Sequence, residues 1–440
     1  MTKQRDSATE HIVIIGNGIA GITCAREVRK KSAKRITVIS GESEFFFSRT
    51  ALMYVYMGHM KFDHIQPYED NFWRKNRIEL VQAWVKQIDP AAKKVELQNG
   101  TAISYDKLVI ATGSQPNKTG VTGEQLKGVL GMYSKQDLEH LEELTSGCKH
   151  AVIIGGGLIG IELAEMLHSR KIGVTFIVRE NGFWGSILPP EEAALINRHI
   201  REHGIDLRLA TTVTDIAGDT AGRVSSVVTN TGERIDCQVV GLTTGVSPNI
   251  GVIENSGIHA RKGVLVNTFL ETNIKDIYAI GDCAEQTSAV GLRKPVEAVW
   301  YTGRIMGETL ANTLCGERSE YGPGHWFNSA KFFDIEYQTY GWVFARPLEY
   351  EAQFFWQHPD GKKSLRFSFH RNTRKFLGVV SLGIRLRQEF FNAILDQDHS
   401  IDTVIRHLRK ANFDPEFYER HETVIQAAFK SKHQLHAQQV

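Results

Sequence analysis

The 440-residue chain has little of what would tie it to a membrane, a nucleic acid or a disulfide framework. Only five cysteines occur, Cys24, Cys148, Cys237, Cys283 and Cys315, and no two stand at C-x-x-C spacing. Neither a cysteine zinc site nor a redox dithiol is written into such a pattern, and no metal is expected. Cys24 and Cys283 lie close to motifs treated below, and the expected role of both is that of a small buried apolar residue. Charge of neither sign dominates. The 52 basic and 50 acidic residues leave a net +2, which excludes the basic footprint of a nucleic-acid or acidic-membrane binder. No apolar run approaches the length of a membrane span, and the opening MTKQRDSATE has no apolar core of a secretory signal. A cytoplasmic protein is the resulting expectation. What remains is ordinary: 42% hydrophobic and 23% charged residues, in a chain too long for one core, predict two or three globular domains.

What is present is concentrated first in His11 to Glu42. Ile12 to Ile15 form a short β-branched apolar run, the pattern of a buried parallel strand. Gly16, Gly18 and Gly21 then fall at G-x-G-x-x-G spacing, a helical period follows from Ile19 to Lys30, and Ile36 to Ile39 read as a second strand. In such a βαβ unit the first glycine permits a tight turn, the second lets backbone approach a pyrophosphate, and the third brings helix against strand. The helix N-terminus offers unpaired N–H groups and partial positive charge to the phosphates. Alone, the motif is weak, since glycine-rich turns also join strands and helices that bind nothing. Ala151 to Glu180 repeat the whole unit, with Gly155, Gly157 and Gly160 at the same spacing. Two complete units predict two bound dinucleotides.

Between and beyond these units the chain is read as follows. Glu42 to Met60 is dense in aromatics and holds Arg49, a guanidinium in apolar surroundings that needs an anionic partner, which a pyrophosphate on the adjacent turn would supply. Glu79 to Ile88 and Lys94 to Leu97 read as strands, with a hairpin at Asn99-Gly100. Tyr105 to Pro116 is an apolar strand running into Ala111-Thr112-Gly113, small residues that allow close approach. Val121 to Cys148 reads as polar and helical. After the second unit come a helix over about Pro190 to Glu202, β segments at Asp206–Ile216 and Arg223–Thr229, and a buried strand over Asp236–Gly245. A short apolar run then delivers Gly281-Asp282 at a strand C-terminus, where open α/β sheets present ligand-binding groups. After Gly322-Pro323-Gly324, strands at 331–344, 350–358, 364–370 and 375–382 look antiparallel, with helices beyond Ile384.

The ordered set of first glycine turn, Ala-Thr-Gly segment, second glycine turn and Tyr-Ala-Ile-Gly-Asp resembles the pyridine nucleotide–disulfide oxidoreductase superfamily, over about residues 10 to 315. The resemblance implies an α/β fold of two Rossmann-like domains, the second inserted in the first, plus a C-terminal α+β domain. The implied division is 1–120 with 250–320 for FAD, 121–249 for NAD(P)H, and 321–440 as a β-rich and helical interface domain, which leaves a homodimer open. Carried over residue by residue, it puts FAD on Gly16, Gly18, Ile19, Ala20, Gly21, Arg49, Val85, Ala111, Thr112, Gly113, Gly281 and Asp282. Glu42 is the candidate for the adenosine ribose, and Glu297 and Trp300 for an approach to the flavin ring. It puts nicotinamide nucleotide on Gly155, Gly157, Leu158, Ile159, Gly160, Glu162, Arg179 and Gly245.

Within the superfamily the ferredoxin/rubredoxin reductase branch, with its apoptosis-inducing-factor-like members, is most similar. Its Arg-Pro-Pro-Leu-Ser-Lys segment is matched at Arg49 and Leu52, while Thr50, Ala51, Met53 and Tyr54 depart from it. No cysteine stands near Thr50, where the disulfide reductases carry theirs, so thiol–disulfide chemistry is not expected. Val178 takes the position where NAD-preferring relatives place a carboxylate, and Arg179 follows where NADPH-preferring ones carry an arginine, with Glu180 able to oppose it. NADPH is the expected donor, with NAD the alternative. Arg385, Arg387, Arg406, Arg409 and Lys410 are a solvated helical face or, alternatively, a docking surface for an acidic electron carrier. The expected activity is transfer of hydride from NAD(P)H to FAD and of electrons onward to a ferredoxin- or rubredoxin-type protein. An oxidase or diaphorase using oxygen or quinone, and a non-catalytic signalling flavoprotein, are the alternatives. No catalytic side chain is nominated, because hydride transfer between cofactors requires none.

Overall fold

The computed structural model describes residues 10–288, 290–413, 416 and 419–437. The polar opening of the chain and its last three residues lie outside them. The chain packs as two compact units, one of residues 1–120, 128–148 and 242–323, the other of 121–127, 149–241 and 324–440.

The first unit is built on a five-stranded sheet in the order Ile277–Ala279, Lys107–Ile110, His11–Ile15, Arg35–Ser40, Ile78–Gln82. Every neighbouring pair in it is parallel. Parallel strands are covered on both faces, which is why Ile12, Val13, Ile14, Leu108, Val109 and Ile110 are all fully buried. The first glycine helix, Ile19–Lys31, buries Ala20 to Ala25 and Val28 and places Arg29, Lys30 and Lys31 in its last turn, where they complement the helix dipole. It lies against the helix Trp300–Leu314 at contact so close that a Cβ on Gly307 would fall 2.6 Å from the Ala20 carbonyl oxygen.

The strand expected over Glu79–Ile88 is two strands, Ile78–Gln82 in the parallel sheet and Val85–Asp89 in a three-stranded antiparallel ribbon. The chain turns out of the first at Ala83-Trp84, where the indole lies on Gly41. The ribbon includes the hairpin expected at Asn99-Gly100. Of the helical stretch expected over Val121–Cys148, only Lys135–Thr145 is helical. Gly123 and Gly128 upstream adopt left-handed φ of 86° and 95°, and Ser134 with Asp137 closes a capping box that starts the helix late.

In the second unit the strands Asp206–Arg208, Gly173–Ile177, His150–Ile154 and Val239–Leu242 lie side by side in that order. The second glycine helix spans Leu158–Ser169, and a third helix spans Pro190–Glu202. The β segment expected over Asp206–Ile216 breaks at Ala210, whose φ is +50°, and resumes as Val213–Gly218. The C-terminal part of this unit is a five-stranded antiparallel sheet in the order Phe327–Phe332, Ile335–Gly341, Phe376–Leu382, Ser364–His370, Glu351–Gln357. The long strand expected over 331–344 is thus a hairpin that turns at Phe333 and Asp334, with Phe333 at φ +55°. Helices Gln388–Asp396, Ile401–Arg406 and Glu422–Ala437 follow, and Phe354, Phe367, Phe391 and Phe429 pack in the core between sheet and helices. Among the described residues no helix is long and apolar enough to cross a membrane.

One polar cluster joins the third helix to this sheet. Arg366 donates through Nε to both oxygens of Glu192 at 2.8 and 3.0 Å, through Nη2 to Glu191 at 2.6 Å and through Nη1 to Gln353 at 2.9 Å. Glu192 is wholly buried, and burial pushes its carboxyl pKa up against the opposing pull of Arg366. Removing one partner of such a pair strands a buried charge, whereas replacing both with apolar groups relieves the desolvation cost. Arg366→Ala is expected to lower unfolding stability by about 3–5 kcal/mol, and the double variant Arg366→Met with Glu192→Leu to recover most of it. Denaturant unfolding of the three proteins measures both.

Candidate functional site

The first glycine turn is held from two sides. Gly16 has φ +113°, and its N–H donates to Ile39 at 2.8 Å while the Ala111 N–H donates to Ile15 at 2.8 Å. A Cβ on Gly16 would lie 2.1 Å from the Ala111 carbonyl oxygen, and one on Gly21 would lie 2.1 Å from the Gly16 carbonyl oxygen. Neither position tolerates a side chain. Gly18 is different: a Cβ there would meet nothing within 4 Å, so its backbone is open to an approaching group. Gly18 is also the helix N-cap and has no side-chain cap, and the first turn begun by Ile19 and Ala20 holds no acidic residue. Such a terminus presents N–H donors and positive potential to an anion.

The other first-unit candidates gather along the same sheet edge. Gly281 adopts φ +74° and sits against Ala20, so that Asp282 follows strand Ile277–Ala279 directly. The Asp282 carboxylate accepts from the Ser114 hydroxyl at 3.0 Å. Burial raises its pKa, opposed by that hydrogen bond and by the charge of Arg49. Thr112 donates to the Asn249 carbonyl at 2.5 Å, and the Gly113 carbonyl accepts from the Asn249 N–H at 2.9 Å. Arg49 has its anionic partner within the protein: it donates to both Glu42 oxygens, at 2.8 and 2.5 Å, and to the Tyr133 carbonyl at 2.7 Å. Burial disfavours its charge, yet Glu42 beside it holds the Arg49 pKa above the usual arginine value. Glu42 also accepts from the Lys135 N–H at 3.0 Å.

Val85 opens the antiparallel ribbon beside Trp84, half-buried. Glu297 forms a buried ion pair with Arg293 at 2.8 Å, and Trp300 begins its helix partly exposed. Gly245, with φ +102°, belongs to the first unit, where its carbonyl accepts from Asn117 at 3.0 Å beside the pairing of Ser114–Pro116 with Val246–Pro248.

Three polar residues of this cluster carried no signal in the sequence. Asn17 donates to the Ser43 carbonyl at 2.9 Å and ties the turn to the following loop. Tyr133 accepts from the Ser114 N–H at 3.2 Å and lies under the Arg49 guanidinium, 4.7 Å from it. Ser114 joins Tyr133 to Asp282.

The second glycine turn repeats the first. Gly155 has φ +123° and donates to Ile177 at 3.0 Å, and Gly157 caps the second glycine helix with nothing within 4 Å of a Cβ position. Leu158 and Ile159 form its first turn, Gly160 is buried in it, and Gly156 is pressed against Val178. Val178 is fully buried, whereas Arg179 is 79% exposed and pairs with Glu180 at 3.0 Å. Trp184, which donates its N–H to Gly156 at 3.0 Å, is a further neighbour of the turn. Burial, reinforced by the nearby Glu165, raises the Glu162 carboxyl pKa to about 7.

Two open glycine N-caps, each between a buried parallel strand and a helix N-terminus, define a protein that holds two dinucleotides, and the partly buried Asp282 carboxyl suits a polyhydroxylated chain on the first. The class is a flavin- and nicotinamide-nucleotide-dependent oxidoreductase. The pyridine nucleotide-disulphide oxidoreductase family model matches residues 10–306, and the chain belongs to that family, in its ferredoxin/rubredoxin reductase-like branch. It is 32% identical over 317 residues to rubredoxin-NAD(+) reductase of Acinetobacter baylyi, covering 70% of this chain and 78% of that one. It is 30% identical over 320 residues to the assimilatory nitrate reductase electron transfer subunit of Bacillus subtilis, covering 72% of this chain but only 40% of that one. A ferredoxin reductase from Rhodopseudomonas palustris has the same fold, with a TM-score of 0.78 at 23% identity over 93% of this chain and 98% of that one. The protein is accordingly an NAD(P)H oxidoreductase that binds FAD and NAD(P)H.

Burial pushes the Cys24 and Cys283 thiols well above the ordinary thiol range, so neither offers a thiolate. Glu162 makes a test of its surroundings possible. With its folded pKa raised from 4.5 to about 7, the protonated carboxyl adds stability that is complete below the unfolded value and is lost as pH rises through 7. Glu162→Gln is therefore expected to match the wild type in thermal midpoint near pH 4.5 and to exceed it increasingly up to pH 8. Melting curves across that range check the sign.

Proposed function

We propose that the chain takes hydride from NADPH onto FAD held at the first glycine turn and passes the electrons to a small acidic carrier protein of the ferredoxin or rubredoxin type. The observation that carries this reading is the pair of open glycine N-caps in a chain whose buried Cys24 and Cys283 offer no thiolate beside the first of them. When bound, FAD supplies the chemistry, accepting two electrons as hydride and releasing them onward. The residues bind and orient. Gly16, Gly18 and Gly21, with Ile19 and Ala20, receive the FAD pyrophosphate, and Asp282, oriented by Ser114, takes ribityl hydroxyls. Glu42, held by Arg49, takes the adenosine ribose. Gly155, Gly157, Leu158, Ile159 and Gly160 receive the nicotinamide nucleotide. Arg179, whose ion pair is with its own neighbour Glu180, closes on the 2′-phosphate. The working division of the chain is 1–120 with 250–320 for FAD, 121–249 for the nicotinamide nucleotide, and 321–440 for interfaces.

The carrier reading draws on the similarity to a rubredoxin reductase and on three exposed cations near the C-terminus. Arg406, Arg409 and Lys410 are exposed, whereas Arg385 is held by Glu336 and Arg387 by the Phe413 carbonyl. Turnover with an acidic two-iron ferredoxin is expected to fall several-fold between about 0.05 and 0.5 M salt. Replacing Arg406, Arg409 and Lys410 with glutamate is expected to lower kcat/KM for the carrier by about tenfold and leave ferricyanide reduction unchanged. Oxygen turnover as fast as carrier turnover, indifferent to salt, would establish an oxidase instead. Arg179→Ala is expected to raise KM for NADPH by about tenfold while sparing NADH.

A further inference from the structure

We infer that the second unit carries a divalent transition-metal site formed by His199, His203 and Asp334. His199 lies in the last turn of the third helix and His203 caps it, one turn on, so the two imidazoles share a face. Asp334 arrives from the hairpin turn between Phe327–Phe332 and Ile335–Gly341 of the C-terminal sheet. One ligand atom from each of the three lies within 4.8 Å of the others.

Two details distinguish this cluster from an ordinary ion pair. His199 is only 2% exposed, and although its Nε2 stands 2.6 Å from Asp334 Oδ1, neither ring nitrogen makes a well-directed hydrogen bond. A buried imidazole in that state is costly, and a metal on Nε2 relieves it. In His203, Nδ1 is 2.9 Å from the His199 carbonyl oxygen, which fixes the tautomer and leaves the Nε2 lone pair directed elsewhere. That Nε2 lies 3.7 Å from the same Asp334 oxygen, and the ring is held in place by stacking on Phe333, at 4.2 Å between centroids.

Glu202 stands 3.8 Å from His199 Nδ1, where it can serve as the carboxylate behind a ligating histidine. Lys362, 3.9 Å from the second Asp334 oxygen, must give way. Two imidazoles and one carboxylate suit zinc, nickel or copper rather than magnesium or calcium, and no cysteine takes part. Bond lengths of about 2.0–2.2 Å require the three atoms to draw together, a movement open to Asp334, which is 61% exposed on its turn. Water completes the coordination. The metal would fasten the third helix to the sheet two turns along from the Arg366–Glu192 pair, so its effect is on the stability of this unit.

The test is calorimetric titration of the full-length flavoprotein with Zn²⁺ after removal of metals with a chelator. One tight site per chain is expected, weakened by at least about tenfold in both His203→Ala and Asp334→Asn. Saturating Zn²⁺ is expected to raise the thermal midpoint of the wild type and not that of His203→Ala. Both altered side chains reach solvent, and unchanged reduction of the flavin by NADPH, whose proposed site lies in the same unit, confirms that each variant folds. Absence of stoichiometric binding, or affinity unchanged in either variant, overturns the assignment.

Discussion

Everything in the first unit depends on one contact, the carbonyl of Ala111 standing where a Gly16 side chain would be. That approach closes the turn between the central strand and its helix and sets the Ala111–Gly113 segment behind it. The Gly16 carbonyl in turn occupies the Cβ position of Gly21 and draws the helix onto the sheet. With both neighbours pressed tight, Gly18 is left open at the helix N-terminus, and the same chain of contacts carries Gly281 onto Ala20 and Asp282 to the sheet edge. A pyrophosphate site is thus produced by packing: two glycines are required because backbone is too close, and one because backbone must be reachable.

The two glycine units were legible from the sequence because their spacing is local. Strand, turn and helix N-terminus follow one another within a dozen residues, and each residue type has one physical reason to be there. The third helix, Pro190–Glu202, was equally legible from its period. The breaks were not. Ala210 and Phe333 take left-handed φ without being glycine, so nothing in their identity announces that the strand ends there. Long-range polar partners were hidden for a related reason. Ser114, Tyr133 and Asn17 are common surface residue types, and only the fold brings them to Asp282, Arg49 and Ser43. Arg49 was singled out correctly as needing an anion, but Glu42, seven residues away, supplies it.

The second unit shows a different balance. Its nucleotide turn is a near copy of the first, yet its distinctive polar chemistry lies away from that turn, along the third helix. Glu192 with Arg366, and His199 and His203 with Asp334, all join this helix to the C-terminal sheet. A buried pair such as Glu192 with Arg366 adds little net stability over an apolar replacement, while loss of one partner strands an ion. The helix is therefore the element that carries the polar contacts to the C-terminal sheet.

The central claim, that the first glycine turn holds a flavin reducible by a nicotinamide nucleotide, is tested most directly by anaerobic stopped-flow mixing of the purified protein with NADPH and, separately, NADH. The account predicts loss of the flavin absorbance band within a single fast phase, quicker with NADPH. A protein that carries no flavin, or a bound flavin that neither nucleotide bleaches on the timescale of turnover, would contradict it.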